Sequence, residues 1–446
     1  MTSLGRRTTV AAPPMKLLPA LALAAVFALG IPAPAALEER KRDHLAEAQA
    51  ALEKNDFDKA IASLDAALEK EPTNAGARFW RGRLLAGKGQ YDKAMADLNE
   101  SLRLQPGNAS ALAHRGYVHQ RQGRIDEALK DLNQALRIDA ADDWALYCRG
   151  LILAEREQPL AALADLDASI EINPRNPPAR LARGQIHMLR QEWDEAMEDF
   201  EACVQLDPKD ATGYSGRAGV FYLTGKFDKA VADYTKAIEL LPKDSRPLAQ
   251  RAFAYAGLRD FDKSLADFDA ALKINPKDPI SLNGRGDLRR EQKKWSEAIA
   301  DYDAVLRENP SDISALLGRA ASHYAAGDFE KAAAAYAETL QRLPEQAQPY
   351  NDYAWLLATA TKDAVRNGVR AVELALEACK RTQYKNPGYL DTLAAAHAEK
   401  GEFPDALKWQ EEAVKLAGDE SEELRAELKS RIELYKAKKP YREEPK

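Results

Sequence analysis

The residues able to do chemistry in this 446-residue chain are few and scattered. The histidines are His44, His114, His119, His187, His323 and His397. Imidazoles bind metal or shuttle protons when they converge. These stand in separate stretches, so the expected role is packing with one ring nitrogen satisfied. Cys148, Cys203 and Cys379 make an odd set without a CxxC pair. That excludes a disulfide-stapled scaffold and argues against structural zinc, leaving unreactive packing residues. Gly87-Lys88-Gly89 lacks the spacing of a phosphate loop. A nucleophile–base–acid set is not evident, and carboxylates are too numerous for one pair to stand out. The expectation is a chain that is not an enzyme and uses no cofactor, no metal and no small-molecule substrate. Lysine plus arginine total 64 against 70 acids, a net charge of −6, where a nucleic-acid binder would show a basic excess.

What is patterned is charge on a period. Pro72, Pro106, Pro174, Pro208, Pro242, Pro276, Pro310 and Pro344 fall on a 34-residue spacing, with Ala140 filling the gap. Units counted from residue 41 run without a break through residue 346. Position 8 is always small, as in Gly82, Gly116 and Ala218. Position 20 is alanine, or Ser264 in one unit. Position 24 is large, from Leu64 and Leu98 to Phe200, Tyr234, Phe268, Tyr302 and Tyr336. Apolar residues recur at helical spacing in two segments per unit. Small residues let paired helices approach, and proline ends the second helix. Position 17 is usually aromatic and an acid follows it, as in Asp58, Asp92 and Asp228. These carboxylates are expected to cap the second helix and favour its start through the helix dipole.

This pattern resembles the tetratricopeptide repeat family, with small residues at 8 and 20, a large apolar residue at 24 and proline at 32. The resemblance implies an all-α fold, a right-handed α-solenoid of about eleven helix-turn-helix repeats with a C-terminal capping helix. Residues 41–346 form nine regular units. Residues 347–386 form an irregular unit with an insertion around Thr361–Asn367, and 387–420 return to the period. A capping helix over 421–438 carries Leu424, Leu428, Ile432 and Tyr435 as an apolar stripe, opened by a capping box of Asp419 and Glu422. A charged tail, 439–446, is expected to fray.

One register exceeds the generic pattern. Position 7 is arginine in Arg81, Arg115, Arg149, Arg183, Arg217, Arg251, Arg285 and Arg319. Position 23 is aspartate in Asp97, Asp131, Asp165, Asp199, Asp233, Asp267 and Asp301. The first unit lacks both, and Arg319 faces Ala335. The expectation is a ladder of structural ion pairs, within a unit or across the join to the next. The alternative is a basic track for an acidic ligand.

The resemblance also implies that first helices line a concave groove at positions 2, 5, 9, 12 and 13. Those positions hold Phe79, Arg83, Tyr117, Arg121, Trp144, Tyr147, Gln185, Tyr222, Arg246, Phe253, Asp287, Arg290 and Tyr324. Aromatic and arginine side chains are common interface anchors, so the expected partner is a protein or peptide, not nucleic acid. The lysine–asparagine pair of the family's carboxylate-clamp subtype is absent.

Residues 1–36 read differently. Arg6, Arg7 and Lys16 precede an apolar run, Leu17 to Leu29, and an Ala33-Pro34-Ala35 cleavage signal. This is the plan of a signal peptide and predicts an exported, periplasmic or other extracytoplasmic protein. Met15 is an alternative start. An uncleaved leader would instead make the chain a membrane-anchored regulatory or structural subunit of a larger enzyme complex, its only route to membrane contact.

Overall fold

Seven of the second helices in the regular repeats carry an aspartate toward the helix before them, and the fold is built around satisfying it. A computed structural model describes residues 39–418 and 422–443. The predicted leader and Asp419 of the predicted capping box lie outside the described residues. The chain divides into two compact units, one ending at Leu240 and one beginning at Leu241.

The first unit holds six helix pairs. They are α1 (Glu39–Glu53) with α2 (Phe57–Lys70), α3 (Ala75–Gly87) with α4 (Tyr91–Leu104), and α5 (Ala109–Arg121) with α6 (Ile125–Ile138). Next come α7 (Asp143–Glu155) with α8 (Pro159–Ile172), α9 (Pro177–Leu189) with α10 (Trp193–Leu206), and α11 (Ala211–Leu223) with α12 (Phe227–Leu240). First helices of neighbouring pairs touch each other, α3 on α5, α5 on α7, and onward to α11, and so form one inner layer.

The second unit continues with α13 (Ser245–Gly257), α14 (Phe261–Ile274), α15 (Pro279–Glu291), α16 (Trp295–Glu308), α17 (Ile313–Ala325) and α18 (Phe329–Arg342). The irregular pair is α19 (Ala347–Thr359) and α20 (Gly368–Arg381), with a 3-10 turn, Asp363–Val365, in the insertion. Then follow α21 (Pro387–Lys400), α22 (Phe403–Ala417) and a last helix, α23 (Glu422–Lys436). The described chain is thus an all-α solenoid in which, within each unit, each helix packs on the next.

Three local rules produce each pair. The first concerns helix starts. Asn74, Asn108, Asp142, Asn176, Asp210, Asp244, Asp278 and Asp312 each cap the following helix, their side chains accepting a backbone N–H of its first turn. The expectation for Asp58, Asp92 and Asp228 is corrected here. They lie inside the first turn of their helices, where only the dipole attraction remains. Side-chain caps on second helices come two residues earlier, from Asp56 and Asp260.

The second rule concerns the turn. Asn55, Gly89, Gly123, Glu157, Gln191, Gly225, Arg259, Lys293 and Gly327 share position 15, and all have positive φ between 56° and 76°. A left-handed residue reverses the chain between the paired helices, at a cost of about 1–2 kcal/mol for a residue with a Cβ. The third rule concerns helix approach. A Cβ on Gly116 would stand 2.9 Å from Leu132 Cγ, and one on Gly82 3.0 Å from Leu98 Cγ. Where position 24 is aromatic it can reach the next unit as well. Hypothetical Cβ atoms on Gly216, Gly284 and Gly318 would each meet Phe200, Phe268 or Tyr302 at 2.4 Å. Where position 24 is leucine, the next unit instead carries Trp80, His114, Cys148 or Ala182 at that place. Volume is exchanged across the join, as close packing requires.

The arginine–aspartate register closes the pairs. Arg183 donates to Asp199 through Nε at 2.8 Å and Nη2 at 2.7 Å. The same two-pronged grip joins Arg81 to Asp97, Arg115 to Asp131, Arg149 to Asp165, Arg217 to Asp233, Arg251 to Asp267 and Arg285 to Asp301. These pairs lie within a repeat. A third prong, Nη1, crosses to the preceding repeat, reaching Asp65, Asn99, Asn133, Asp167 and Asp269. Arg319, with Ala335 at position 23 of its own unit, takes Glu338 at 2.5 Å and Asp303 at 3.3 Å. The paired aspartates are buried, Asp199 fully so. With their forks occupied these arginines do not form a free basic track.

The chain end differs from expectation. Arg431, on the cap's apolar stripe, is buried and bonds Asp391 at 2.8 Å. Gln410 donates to the other oxygen of Asp391 at 2.8 Å and to the Leu428 carbonyl at 3.1 Å. The tail does not fray over its described part. Residues 441–443 are bound to α19 and α21, because each has a partner waiting.

Removing one side of a buried pair strands a charge. Arg183→Ala should lower the unfolding free energy by about 3 kcal/mol in urea titrations. Asp65→Ala, which removes a partner that is half exposed, should cost less than about 1 kcal/mol. Equal losses would show that the buried carboxylates do not anchor the repeats.

Candidate functional site

The inner layer of the first unit carries a run of rings. Trp80 and Phe79 on α3 lie 5.4 Å apart between centroids. Phe79 meets His114 of α5 edge-on at 5.4 Å. His114 stacks on Trp144 of α7 at 5.4 Å, and Trp144 also contacts Tyr117 and Tyr147. Rings from three successive first helices therefore join into one surface. Arg83 lies over Trp80 at 4.9 Å. Arg121 donates to the Tyr91 hydroxyl at 3.1 Å.

The predicted groove residues divide on this surface. Phe79 and Tyr147 are buried, which corrects their assignment as groove contacts. They pack between neighbouring first helices, where an aromatic ring fills the volume that close helix spacing leaves. Trp144, Tyr117, Arg83 and Arg121 are half-buried and keep a face outward. Trp80 and Tyr91, both half-buried, belong to the same surface and were not among the predicted positions, and His114 is buried beneath it. The signal that could have found Trp80 and His114 is the leucine at position 24 of the preceding unit, whereas Tyr91 stands at the usually aromatic position 17.

The remaining predicted residues are not part of this run. Gln185 is half-buried on α9. Tyr222 packs on Phe227 at 5.6 Å. In the second unit, Phe253 meets Phe268 edge-on at 5.1 Å. Arg246 grips Asp244 of its own cap. Arg290 stands 3.6 Å from Asp287, which accepts the Tyr302 hydroxyl at 2.7 Å. Tyr324 donates to Glu443. Leu189 and Leu223 are exposed at the ends of their first helices.

The electrostatics of the ring surface are mixed. Burial lowers the Arg83 guanidinium from its ordinary value, opposed by the nearby Asp143 and Asp142 carboxylates. Burial also raises the Asp142 carboxyl, which caps α7. His114 Nδ1 donates to the Ser110 carbonyl at 2.9 Å. Burial and the neighbouring Arg83 charge push its ring down to about 3.

The other titratable groups are engaged locally. His187 and His397 each bond a turn carboxylate, Glu192 and Glu402, at 2.7 Å. His397, Glu402 and Asp405 bring one ligand atom each within 4.8 Å, and the Lys400 ammonium sits 2.5 Å from Glu402. All three thiols are buried, and burial raises Cys203 and Cys379 to about 12 and Cys148 well above its ordinary range. A thiol held protonated is a poor nucleophile.

His114 makes stability depend on pH in a known direction. The unfolded ring takes a proton below its ordinary 6.5, whereas the folded ring resists until about 3. Stability is whole above 6.5 and falls as pH drops below it. His114→Phe should reduce the stability lost between pH 7 and pH 5 by about 2 kcal/mol, read from urea midpoints at each pH. An unchanged pH slope would show that this ring is hydrated and titrates normally.

Comparison with family models agrees with the repeat pattern. Tetratricopeptide repeat models match residues 45–109 and 250–313, with further matches at 121–157, 177–210, 314–345 and 388–417. No curated protein matches the chain. Among solved structures, a tetratricopeptide repeat protein from Parabacteroides merdae is 24% identical, with 56% of this chain and 99% of that chain covered and a TM-score of 0.41. Yeast Tom70 is 15% identical over 90% of this chain and 96% of its own, with a TM-score of 0.44. The pilF protein of Pseudomonas aeruginosa is 18% identical over 49% and 97%, with a TM-score of 0.44. With repeat matches that together exceed half its length, this chain belongs to the tetratricopeptide repeat family.

Proposed function

We propose that the protein is a non-catalytic scaffold or adaptor that holds an extended peptide or a helix of a partner protein against the inner face of its first unit. The observation that carries this reading is the ring surface of α3, α5 and α7, edged by Arg83 and Arg121. Trp144 and Tyr117 are half-buried, so each already has one face ordered by its neighbours. Rigid aromatic rings give a ligand contact area at small entropic cost. The Arg83 charge and the Asp142–Asp143 pair give that surface both signs, which suits a polypeptide partner better than a polyanion.

The working compartment in this proposal is outside the cytoplasm. Residues 1–36 support it through their basic start, apolar run and Ala33-Pro34-Ala35 signal. Among the described residues, no helix is long and apolar enough to cross a membrane.

The test is a cross-linked affinity pull-down from the native cell, run beside a Tyr117→Ala, Trp144→Ala variant. Tyr147, being buried, is left intact to preserve the fold. Loss of a partner from the variant alone, with its helical circular dichroism unchanged, is the expected result. A partner retained equally by both would move the interface elsewhere. The intact mass of the purified native protein reads the leader: loss of residues up to about Ala35 supports export, and a full-length mass supports the anchored-subunit alternative.

A further inference from the structure

Helix α23 ends in a way that aims the chain back at the second unit. Lys438 has a φ of 50°, and the Lys439 N–H donates to the Leu434 carbonyl at 2.9 Å. This is the closure expected when a helix stops on a left-handed residue, and Pro440 prevents its continuing. The three residues after Pro440 are each met by defined partners.

Tyr441 lies 5.7 Å from Trp355, and the Arg431 guanidinium stands 4.6 Å over the Tyr441 ring and 5.2 Å over Trp355. Arg442 pairs with Glu399 at 2.6 Å and donates to the Ala358 carbonyl at 3.3 Å. The Glu443 carboxylate accepts from the Tyr324 hydroxyl at 2.7 Å and from the Trp355 indole N–H. Its backbone N–H donates to the Thr359 carbonyl at 3.0 Å, a strand-like link beside Ala360. Burial and the Glu443 charge raise the Tyr324 phenol, so it remains a donor.

Two features set this apart from ordinary terminal packing. Tyr324 and Trp355 come from the first helices of two successive repeats, α17 and α19, at positions 12 and 9; Tyr324 is among the groove residues that the family resemblance implies, and Trp355 joins it only in the structure. All three side chains of the segment meet chemistry matched to their kind: a cation–aromatic sandwich, an anion, and a pair of hydrogen-bond donors. A segment held mainly through its polar ends and one ring is exchangeable, because a second segment of the same kind satisfies the same groups.

We propose that the inner face of α17 and α19, completed by Glu399 and Arg431, is a recognition site for an extended aromatic–basic–acidic segment of a partner protein, and that residues 441–443 occupy it in the free chain. The site is in the second unit and does not rest on the ring surface of the first, so either reading can fail alone. A tethered occupant acts at an effective concentration on the order of millimolar, so a free segment competes poorly until the tail is released.

The test uses the full chain carrying Tyr441→Ala and Glu443→Ala, and a fluorescent, end-blocked synthetic peptide of residues 439–446, followed by anisotropy. The opened variant should bind this peptide at least tenfold more tightly than the unaltered chain. Replacing the peptide's first glutamate by glutamine should weaken binding about tenfold. Adding Tyr324→Phe and Trp355→Phe to the opened variant should abolish it. If the double alanine variant loses helical signal, Glu443→Gln alone serves, with a smaller gain of at least threefold. A folded opened variant that ignores the peptide overturns the proposal. So does equal binding to opened and unaltered chains, or binding that survives loss of Tyr324 and Trp355, and the contact is then only a structural closure.

Discussion

A carboxylate buried under a second helix has to be met by a charge, and in seven successive repeats that charge comes from the neighbouring first helix as an arginine fork. The fork's geometry does more than neutralise. Two of its nitrogens hold the aspartate at fixed orientation, which sets how the paired helices lie. In most repeats the third reaches an aspartate or asparagine of the repeat before. One side chain thereby specifies both the inside of a repeat and its join. A buried pair of this kind adds little net stability against an apolar substitute, but losing one member is costly. It serves register more than strength.

With register held by the forks, apolar positions are free to vary in size as long as neighbours compensate. Aromatic rings at position 24 coincide with glycine at position 6 of the next repeat in three joins. Leucine there leaves room for Trp80 and His114, and this substitution of volume assembles the first unit's ring surface. The candidate interaction face is thus a by-product of core packing carried one layer inward. Its members are held by the same contacts that stabilise the repeats, which is why Phe79 and Tyr147 are lost to the core while Trp144 and Tyr117 remain presentable.

The two ends of a solenoid cannot satisfy themselves by stacking, and the second unit ends with a polar device. Asp391 is buried in α21 and is met by Gln410 and by Arg431 of the last helix. Arg431 also covers Tyr441 and Trp355. The cap and the segment after it are therefore one structure, and a change at either is felt by both.

The 34-residue proline spacing, the small residues at positions 8 and 20 and the large one at 24 were sufficient by themselves for the helix pairs and the solenoid, because each encodes a local steric condition that recurs unchanged. The arginine–aspartate register was equally visible, since it rests on residue identity at fixed spacing. The asparagine and aspartate caps before the first helices α3 to α17, and the left-handed turn residue at position 15, were also present in the sequence but are hidden among neighbours of similar polarity. Other facts needed the tertiary structure. Which face of an inner aromatic is covered depends on the volume of a side chain one repeat away. That Arg431 lies on the buried side of an otherwise apolar stripe depends on Asp391, 40 residues earlier. That Glu443 meets Tyr324, 119 residues distant, depends on how the last helix turns the chain back. Periodic sequence encodes nearest-neighbour packing. Contacts that skip repeats arise only when the stack has been built and its end is folded onto it.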